Sequence, residues 1–267
     1  VFTLRTGIRL YKAIPLWLIL IGLSFAFALF FEMASFISLI YTTTFAWVVY
    51  QYYKAEKVIY FYLIVLLSVP LMFHYSFLGF DNYQYLNGVI ISDGAHPYSL
   101  YFNLDKTAVG VFIIGFSIRG GTLNPKYLLK NVIISLLIMS FVFLVLAMLL
   151  GYSRFDPKLP YFLPVWMLVN LFFTCMAEEA IFRKLIQQKL TDSFTSKYSA
   201  AFGITIGAML FGLAHFNGGI IYIILATLAG LFYGYVFFKT KRIESSILLH
   251  FSFNLIHLLL FTYPSLL

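Results

Sequence analysis

Runs of about 20 apolar residues recur along the whole of this 267-residue sequence. A helix rises about 1.5 Å per residue, so each run is long enough to cross the ~30 Å hydrocarbon core of a membrane. Hydrophobic residues make up 62% of the chain and charged residues 10%, whereas soluble domains carry roughly 25% charged residues. These features exclude a soluble fold and predict an all-α, polytopic bundle of transmembrane helices.

Nine candidate membrane-spanning segments follow from the positions of these runs. They cover residues 14–31, 34–51, 58–77, 107–118, 129–151, 160–183, 198–216, 219–238 and 246–263. The fourth segment has only about 12 residues, fewer than the ~20 that a crossing normally needs. A bundle of eight spans is therefore the alternative.

The distribution of basic residues favours nine spans with the N-terminus inside. In that topology 15 of the 18 Lys and Arg lie on the inner side, and only Lys106, Arg154 and Lys158 lie outside. Omitting the fourth crossing leaves 7 inside and 11 outside, against the usual bias. The inner residues are Arg5, Arg9, Lys12, Lys54, Lys57, Arg119, Lys126, Lys130, Arg183, Lys184, Lys189, Lys197, Lys239, Lys241 and Arg242. The net charge of +8 thus indicates membrane orientation and no nucleic-acid partner.

Polar residues at membrane depth concentrate in the last third of the chain. The sixth segment contains Glu178, Glu179 and Arg183, and each ionised group there costs roughly 2.5–3.5 kcal/mol unless it is paired or faces water. Glu179 and Arg183 are four residues apart, so they share a helix face and can form an ion pair. Glu178 points elsewhere and is suited to general-base chemistry. The alternative is that both acids anchor the helix at the inner boundary of the membrane.

Two further pairs at a spacing of four lie on later segments. The seventh segment ends with Phe211 and His215, and the ninth contains His250 and Asn254. Because this spacing places both side chains on one helix face, His250 and Asn254 must face a protein interior or a watery cavity. For His215 alone, a packing or interfacial role is the alternative.

Small residues recur every four positions in the seventh and eighth segments. Gly203 and Gly207 lie in the seventh, and Ala226, Gly230 and Gly234 lie in the eighth. Such spacing lets helix backbones approach closely in a membrane. We expect these two helices to pack tightly, either to support a site or as ordinary helix packing.

Together the motifs EExxxR (178–183), FxxxH (211–215) and HxxxN (250–254) resemble the CPBP family. This family, also called the Abi family, comprises intramembrane CAAX-type prenyl endopeptidases and bacteriocin-processing proteins. The resemblance extends over about residues 160–263, and the first 150 residues carry no family signal. It divides the chain into N-terminal transmembrane helices of unassigned role (1–157) and a CPBP-like catalytic region (158–267).

The resemblance implies a role for each matched residue. Glu178 corresponds to the glutamate that activates a water molecule, and His215 to the residue that holds and orients that water. His250 and Asn254 correspond to the pair that stabilises the oxyanion of the tetrahedral intermediate. Glu179 and Arg183 correspond to supporting residues.

One position departs from the family pattern. The family often has glycine directly after the arginine of its first motif, whereas this chain has Lys184. The chemistry stays possible with lysine there, but the departure affects the local packing and access of a substrate.

A zinc site is the alternative to a metal-free glutamate mechanism. Glu178, His215 and His250 could supply a His/His/Glu ligand set, with water at the fourth position. The sequence contains no HExxH motif, so it does not demand a metal. The favoured interpretation requires no cofactor.

If each segment is drawn as a straight helix across the membrane, the two histidines lie far apart. His215 ends a helix that starts on the inner side, whereas His250 lies near the inner start of its own helix, ~26 Å away along a straight axis. The separation decreases if the sixth helix continues past Arg183 to about Leu190, because the following turn then protrudes inward. We therefore expect a longer sixth helix.

The sequence predicts an intramembrane endopeptidase that cuts a membrane-associated peptide or protein, in a bacterial cytoplasmic membrane. A catalytically silent relative acting as a binding or bacteriocin-immunity protein is one alternative. A transporter that uses the polar cluster as an ion site is the other. The substrate and the lipid bilayer are the expected partners.

Overall fold

The computed structural model describes residues 9–11, 14–117 and 124–267, and nine helices account for most of this described chain. They are α1 (Leu16–Phe30), α2 (Phe36–Ala55), α3 (Val58–Met72), α4 (Leu104–Ser117), α5 (Pro125–Leu149), α6 (Leu163–Asp192), α7 (Ser199–Leu213), α8 (Gly219–Thr240) and α9 (Ile243–Leu260). The predicted all-α fold is confirmed. Arg5, Lys12, Ile118 and Arg119, which entered the topology argument, lie outside the described residues.

Four stretches of the described chain are long and apolar enough to cross a membrane. They are α5, α6, Phe216–Thr240 (which contains α8) and α9. Helices α1, α3 and α7 are apolar but shorter, with 15 residues each. The protein is thus an integral membrane protein. Helix α4 has 14 residues and rises about 21 Å, so its crossing stays a prediction, together with the nine-span topology and its orientation.

The polar connection between the third and fourth predicted segments contains regular structure that its composition did not indicate. Strand β3 (Tyr83–Val89) is hydrogen-bonded to strand β4 (Tyr98–Phe102) in a two-stranded sheet. A second small sheet joins β1 (Arg9–Tyr11) to β2 (Ile14–Pro15) in antiparallel fashion. Neither sheet alters the helical character of the fold.

The chain folds as two compact units, each assembled from three stretches of sequence. The first unit comprises Val1–Tyr83, Tyr101–Leu123 and Phe172–Ile181. The second comprises Gln84–Leu100, Asn124–Leu171 and Phe182–Leu267. The long helix α6 supplies residues to both units.

Helix α4 is the central element of the first unit. The Phe112 ring lies edge-on to Trp17 of α1 at 6.3 Å and contacts Phe45 of α2 at 6.4 Å. On another side of α4, a methyl group at Gly110 would lie only 2.9 Å from the Cα atom of Ala177 in α6. The absence of a side chain at Gly110 therefore allows the two backbones to pack in direct contact.

In the second unit, the expected close packing of small residues is confirmed. A methyl group at Gly230 of α8 would lie 2.9 Å from the Cα atom of Ala208 in α7. At Gly203 it would lie 2.9 Å from the carbonyl oxygen of Gln187 in α6. Helix α7 is therefore held against both α6 and α8, and this packing limits the position of His215, which lies two residues after α7.

The last residues of the chain form a strap across two loops of the second unit. The Leu267 N–H donates to the Gly94 oxygen at 3.0 Å, and the Leu266 N–H donates to the Tyr152 oxygen at 3.1 Å. The Thr262 N–H donates to the Arg154 oxygen at 2.9 Å. These bonds satisfy backbone N–H and C=O groups in irregular segments, where no helix supplies hydrogen-bond partners.

Replacement of Gly230 by alanine is expected to lower the melting temperature (Tm) of the purified protein in detergent. The added methyl group has to displace the α7 backbone at Ala208, and such overpacking costs about 1–3 kcal/mol. Gly22→Ala is the matched control, because a methyl group at Gly22 of α1 meets nothing within 4 Å. A Gly230→Ala protein as stable as Gly22→Ala would contradict the close approach of α7 and α8.

The loop carboxylate of Asp156 is expected to give a pH-dependent contribution to stability. A hydrogen bond from Ser92 and the nearby Lys158 and Arg154 charges hold the Asp156 pKa below its ordinary value of 3.8. A depressed pKa in the folded state stabilises the fold above about pH 4, and this stabilisation is lost as the pH falls through the folded value. The Tm of Asp156→Asn should therefore lie below that of wild type at pH 7.

Melting curves between about pH 3 and 7 test this expectation. The difference between Asp156→Asn and wild type should shrink toward the acid end, and Ser92→Ala should reproduce part of it, because Ser92 makes the largest contribution. A difference that grows as the pH falls would be inconsistent with the hydrogen bond.

Candidate functional site

The acidic pair and the arginine of the first motif lie in the most buried part of α6. Glu178 is 6% exposed, whereas Glu179 and Arg183 are fully buried. Burial to this extent costs free energy for ionised groups. The chemistry of the motif therefore depends on the groups that pair with these residues. All three residues lie in the interior of α6, away from both of its ends, and the anchoring alternative stays a prediction.

Helix α6 has an irregular backbone around the motif. Asn170–Cys175 and Ala180–Gln187 are π-helical, and they flank a single α-helical turn, Met176–Glu179, that carries both acids. π-Helical turns are rare and occur frequently at functional sites. The sixth segment thus differs from an ordinary transmembrane helix at the position of its charged residues.

Glu178 forms an ion pair that the sequence analysis did not predict. The Lys106 Nζ atom donates to Glu178 Oε1 at 2.6 Å within the first unit. The lysine side chain is 13% exposed and the glutamate side chain 8%, so the pair is largely removed from solvent. The ammonium group offsets much of the cost of burying the carboxylate charge.

Arg183 lies among aromatic rings in the second unit. Its guanidinium carbon lies 5.1 Å from the Phe211 ring centre and 5.9 Å from the Tyr233 ring centre. Both distances fall within the range of cation–π attraction, which strengthens when the cation is desolvated. The ion pair expected between Glu179 and Arg183 stays a prediction.

The two histidines of the later motifs meet at one aromatic ring. The centre of the Phe211 ring lies 4.6 Å from the His215 ring and 5.7 Å from the His250 ring. The expected extension of the sixth helix is also confirmed, since α6 continues to Asp192. The separation in the simple drawing of the helices is thereby removed, because α7 begins beyond the longer α6.

Each histidine is held in orientation by a specific contact. The His250 ring stacks on Tyr233 with centres 4.5 Å apart and planes 16° from parallel. His215 Nδ1 lies 2.7 Å from the Phe211 carbonyl oxygen, which can only accept, so Nδ1 carries the proton. In the neutral ring Nε2 then has the lone pair, which is the form that can accept a hydrogen bond from water.

Asn254 contacts a second amide that lies inside α6. Its Nδ2 atom donates to Asn170 Oδ1 at 3.3 Å within the second unit. Asn170 is buried and lies in the first π-helical segment. The prediction that His250 and Asn254 face a protein interior is confirmed, because the first stacks on Tyr233 and the second bonds to Asn170.

Among the described residues, no group of three or more His, Cys, Asp or Glu side chains is placed so that it could hold a metal ion. The alternative of a zinc site at Glu178, His215 and His250 stays a prediction. Cys175, about one helical turn before the acids, is buried.

The three motifs lie within a stretch of the chain that is similar to a known family of enzymes. Residues 160–256 match the family model for "Type II CAAX prenyl endopeptidase Rce1-like". The predicted resemblance to CAAX-type endopeptidases is confirmed over this Rce1-like segment, which contains all six residues of the predicted site. No curated protein and no solved structure gives a significant match to the chain.

Three residues near the predicted site were not identified from the sequence. Asn170 and Tyr233 are polar residues inside apolar segments of the Rce1-like segment, which is the same signal that singled out Glu178. A search for every polar residue inside an apolar segment would have found both. Lys106 precedes the short fourth segment and gives no signal, because its partner is 72 positions away.

Truncation of Phe211 to alanine is expected to lower the Tm of the purified protein markedly. This ring is 2% exposed and contacts both histidines and Arg183, and removal of a buried phenylalanine side chain costs about 3–5 kcal/mol. Phe202→Ala is the matched control on the same helix, where the side chain is 44% exposed. Equal losses of stability in the two variants would argue against Phe211 as the packing centre.

Proposed function

We propose that this protein is an intramembrane endopeptidase that hydrolyses a peptide bond of a membrane-associated peptide or protein. The observation that carries the proposal is the meeting of His215 and His250 at the Phe211 ring, within a segment that matches CAAX prenyl endopeptidases. His250 is buried and His215 is half-buried, and histidines with fixed ring orientations are suited to acid–base chemistry and to hydrogen bonding with a reacting group. Residues 158–267 form the catalytic region of this proposal.

In the proposed reaction, Glu178 accepts a proton from a water molecule while the water oxygen attacks the carbonyl carbon of the scissile peptide bond. His215 orients the water through Nε2, since its Nδ1–H is engaged by the Phe211 oxygen. The proton held by Glu178 then passes to the amide nitrogen, and the C–N bond breaks. The products are a carboxylic acid and an amine, which become a carboxylate and an ammonium group when the acid proton passes to the amine.

His250 and Asn254 are proposed to stabilise the oxyanion of the tetrahedral intermediate. An amide nitrogen such as Asn254 Nδ2 carries two N–H groups, and Asn170 accepts a hydrogen bond from one of them. Donors that are fixed before the reaction stabilise developing charge without reorganisation, and removal of one donor typically costs 10²- to 10³-fold in rate. Glu179 and Arg183 are proposed as supporting residues around Glu178.

The proposed location is a bacterial cytoplasmic membrane with the N-terminus on the inner side. This orientation is supported by the charge distribution, in which 15 of 18 Lys and Arg fall inside if α4 crosses. The proposed mechanism is metal-free.

Cleavage of an internally quenched peptide ending in a prenylated CAAX sequence tests the proposal. With purified full-length protein in detergent, Glu178→Gln and His215→Ala should each reduce kcat/KM by at least about 100-fold, because both groups act on the water. Asp192→Asn is the control, since it makes the same carboxylate-to-amide change at an exposed position of α6.

Four outcomes would change the proposal. Wild-type cleavage by Glu178→Gln would rule out the glutamate mechanism. Loss of activity on addition of a chelator, with recovery on added zinc, would establish the metal alternative. Binding of the peptide without cleavage would favour the silent binding or immunity protein, and ion uptake into proteoliposomes that depends on Glu178 would favour the transporter.

A further inference from the structure

We propose that Lys106, which lies outside the Rce1-like segment, is a positioning residue for the glutamate that activates water. This inference rests on the proposed function, because it assigns to Lys106 an effect exerted through Glu178. It also gives the N-terminal helices, whose role the sequence leaves unassigned, a part in the reaction. The contacts that support it all lie within the first unit.

The ion pair between Lys106 and Glu178 is short, and both partners are largely buried. At 2.6 Å, Lys106 Nζ and Glu178 Oε1 form a charge-assisted hydrogen bond, which is stronger and more directional than a neutral one. The bond to the ammonium group fixes the orientation of the carboxylate that accepts the proton of water in the proposed reaction.

The backbone that carries Lys106 is itself fixed by side chains at the start of α4. The Leu104 N–H donates to Asn82 Oδ1 at 2.9 Å, and the Lys106 N–H donates to Asp105 Oδ1 at 2.7 Å. The other oxygen of the fully buried Asp105 lies 2.8 Å from His74 Nδ1. The first two contacts satisfy N–H groups that the first turn of a helix would otherwise leave unpaired, and the third holds the Asp105 carboxylate in place. Together they restrict where the lysine can reach.

Helices α4 and α6 are in direct contact one helical turn away from Lys106, and this contact determines the distance between them. Gly110 lies four residues after Lys106 and packs against Ala177, which directly precedes Glu178. Because a methyl group at Gly110 would lie 2.9 Å from the Ala177 Cα atom, the backbones have no room for further approach. The lysine therefore bridges two helices whose spacing is fixed by direct backbone contact, and such an arrangement holds a side chain in one geometry.

Kinetics of Lys106→Met in full-length protein test the positioning role, with the prenylated CAAX peptide as substrate. Methionine keeps the length of the side chain without its charge. We expect kcat to fall about 10- to 100-fold, as for other residues that orient a reacting group, while KM stays within about twofold. Lys106→Arg should recover most of kcat, because it restores a charged donor.

Lys158→Met is the matched control. The Lys158 side chain is also 13% exposed and also forms an ion pair, with Asp156 Oδ2 at 3.0 Å, but it lies in a loop of the second unit. The kcat of Lys158→Met should equal that of wild type. An unchanged kcat in Lys106→Met, or a change confined to KM, would overturn the positioning role.

A double-mutant cycle in Tm gives a second test that needs no substrate. Lys106→Met leaves the Glu178 carboxylate buried without this ammonium partner, so Lys106→Met/Glu178→Gln should melt above Lys106→Met alone. Additive changes in Tm would overturn the inference. If Glu178→Gln were inactive while Lys106→Met retained wild-type kcat, the proposed function would stand and only the role of Lys106 would fail.

Discussion

An ionised side chain among apolar helices is costly unless the fold supplies a partner for it. Three buried charged residues of this protein have such partners in the described chain. Glu178 pairs with Lys106, Asp105 contacts His74, and the guanidinium of Arg183 lies over aromatic rings. Each partner comes from a different stretch of sequence, so these contacts require particular helices to be neighbours within each unit. Glycine at the helix contacts makes that proximity sterically possible.

Both histidines lie in an aromatic environment. Phe211 contacts both imidazole rings, and Tyr233 stacks on His250, so neither ring can rotate without disturbing a packed core. A ring held in this way does not need to be ordered when a substrate arrives. Catalytic groups in general are expected to be held in place before a substrate binds, because reactions are fastest when the reacting geometry already exists.

Much of this arrangement follows from local sequence signals. Apolar runs predicted the helices, and polar residues within them identified Glu178, His215, His250 and Asn254. An extension of the sixth helix to about Leu190 was inferred as the condition that brings the two histidines together, and α6 continues to Asp192. The π-helical turns, the β3–β4 sheet and the pairing of Lys106 with Glu178 were missed. These features depend on contacts between residues far apart in sequence or on small changes in backbone geometry, and periodicity carries no information about either.

The position of Lys106 limits how far the Rce1-like segment can be treated as a transplantable module. Residues 160–256 carry the recognisable motifs, yet the ammonium group that compensates Glu178 is supplied from residue 106, upstream of that segment. A fragment or chimera built from the recognisable part alone would bury a carboxylate without this partner. Substitutions at Lys106 and at Glu178 should therefore be correlated across homologous chains, because the two residues of the ion pair have to change together.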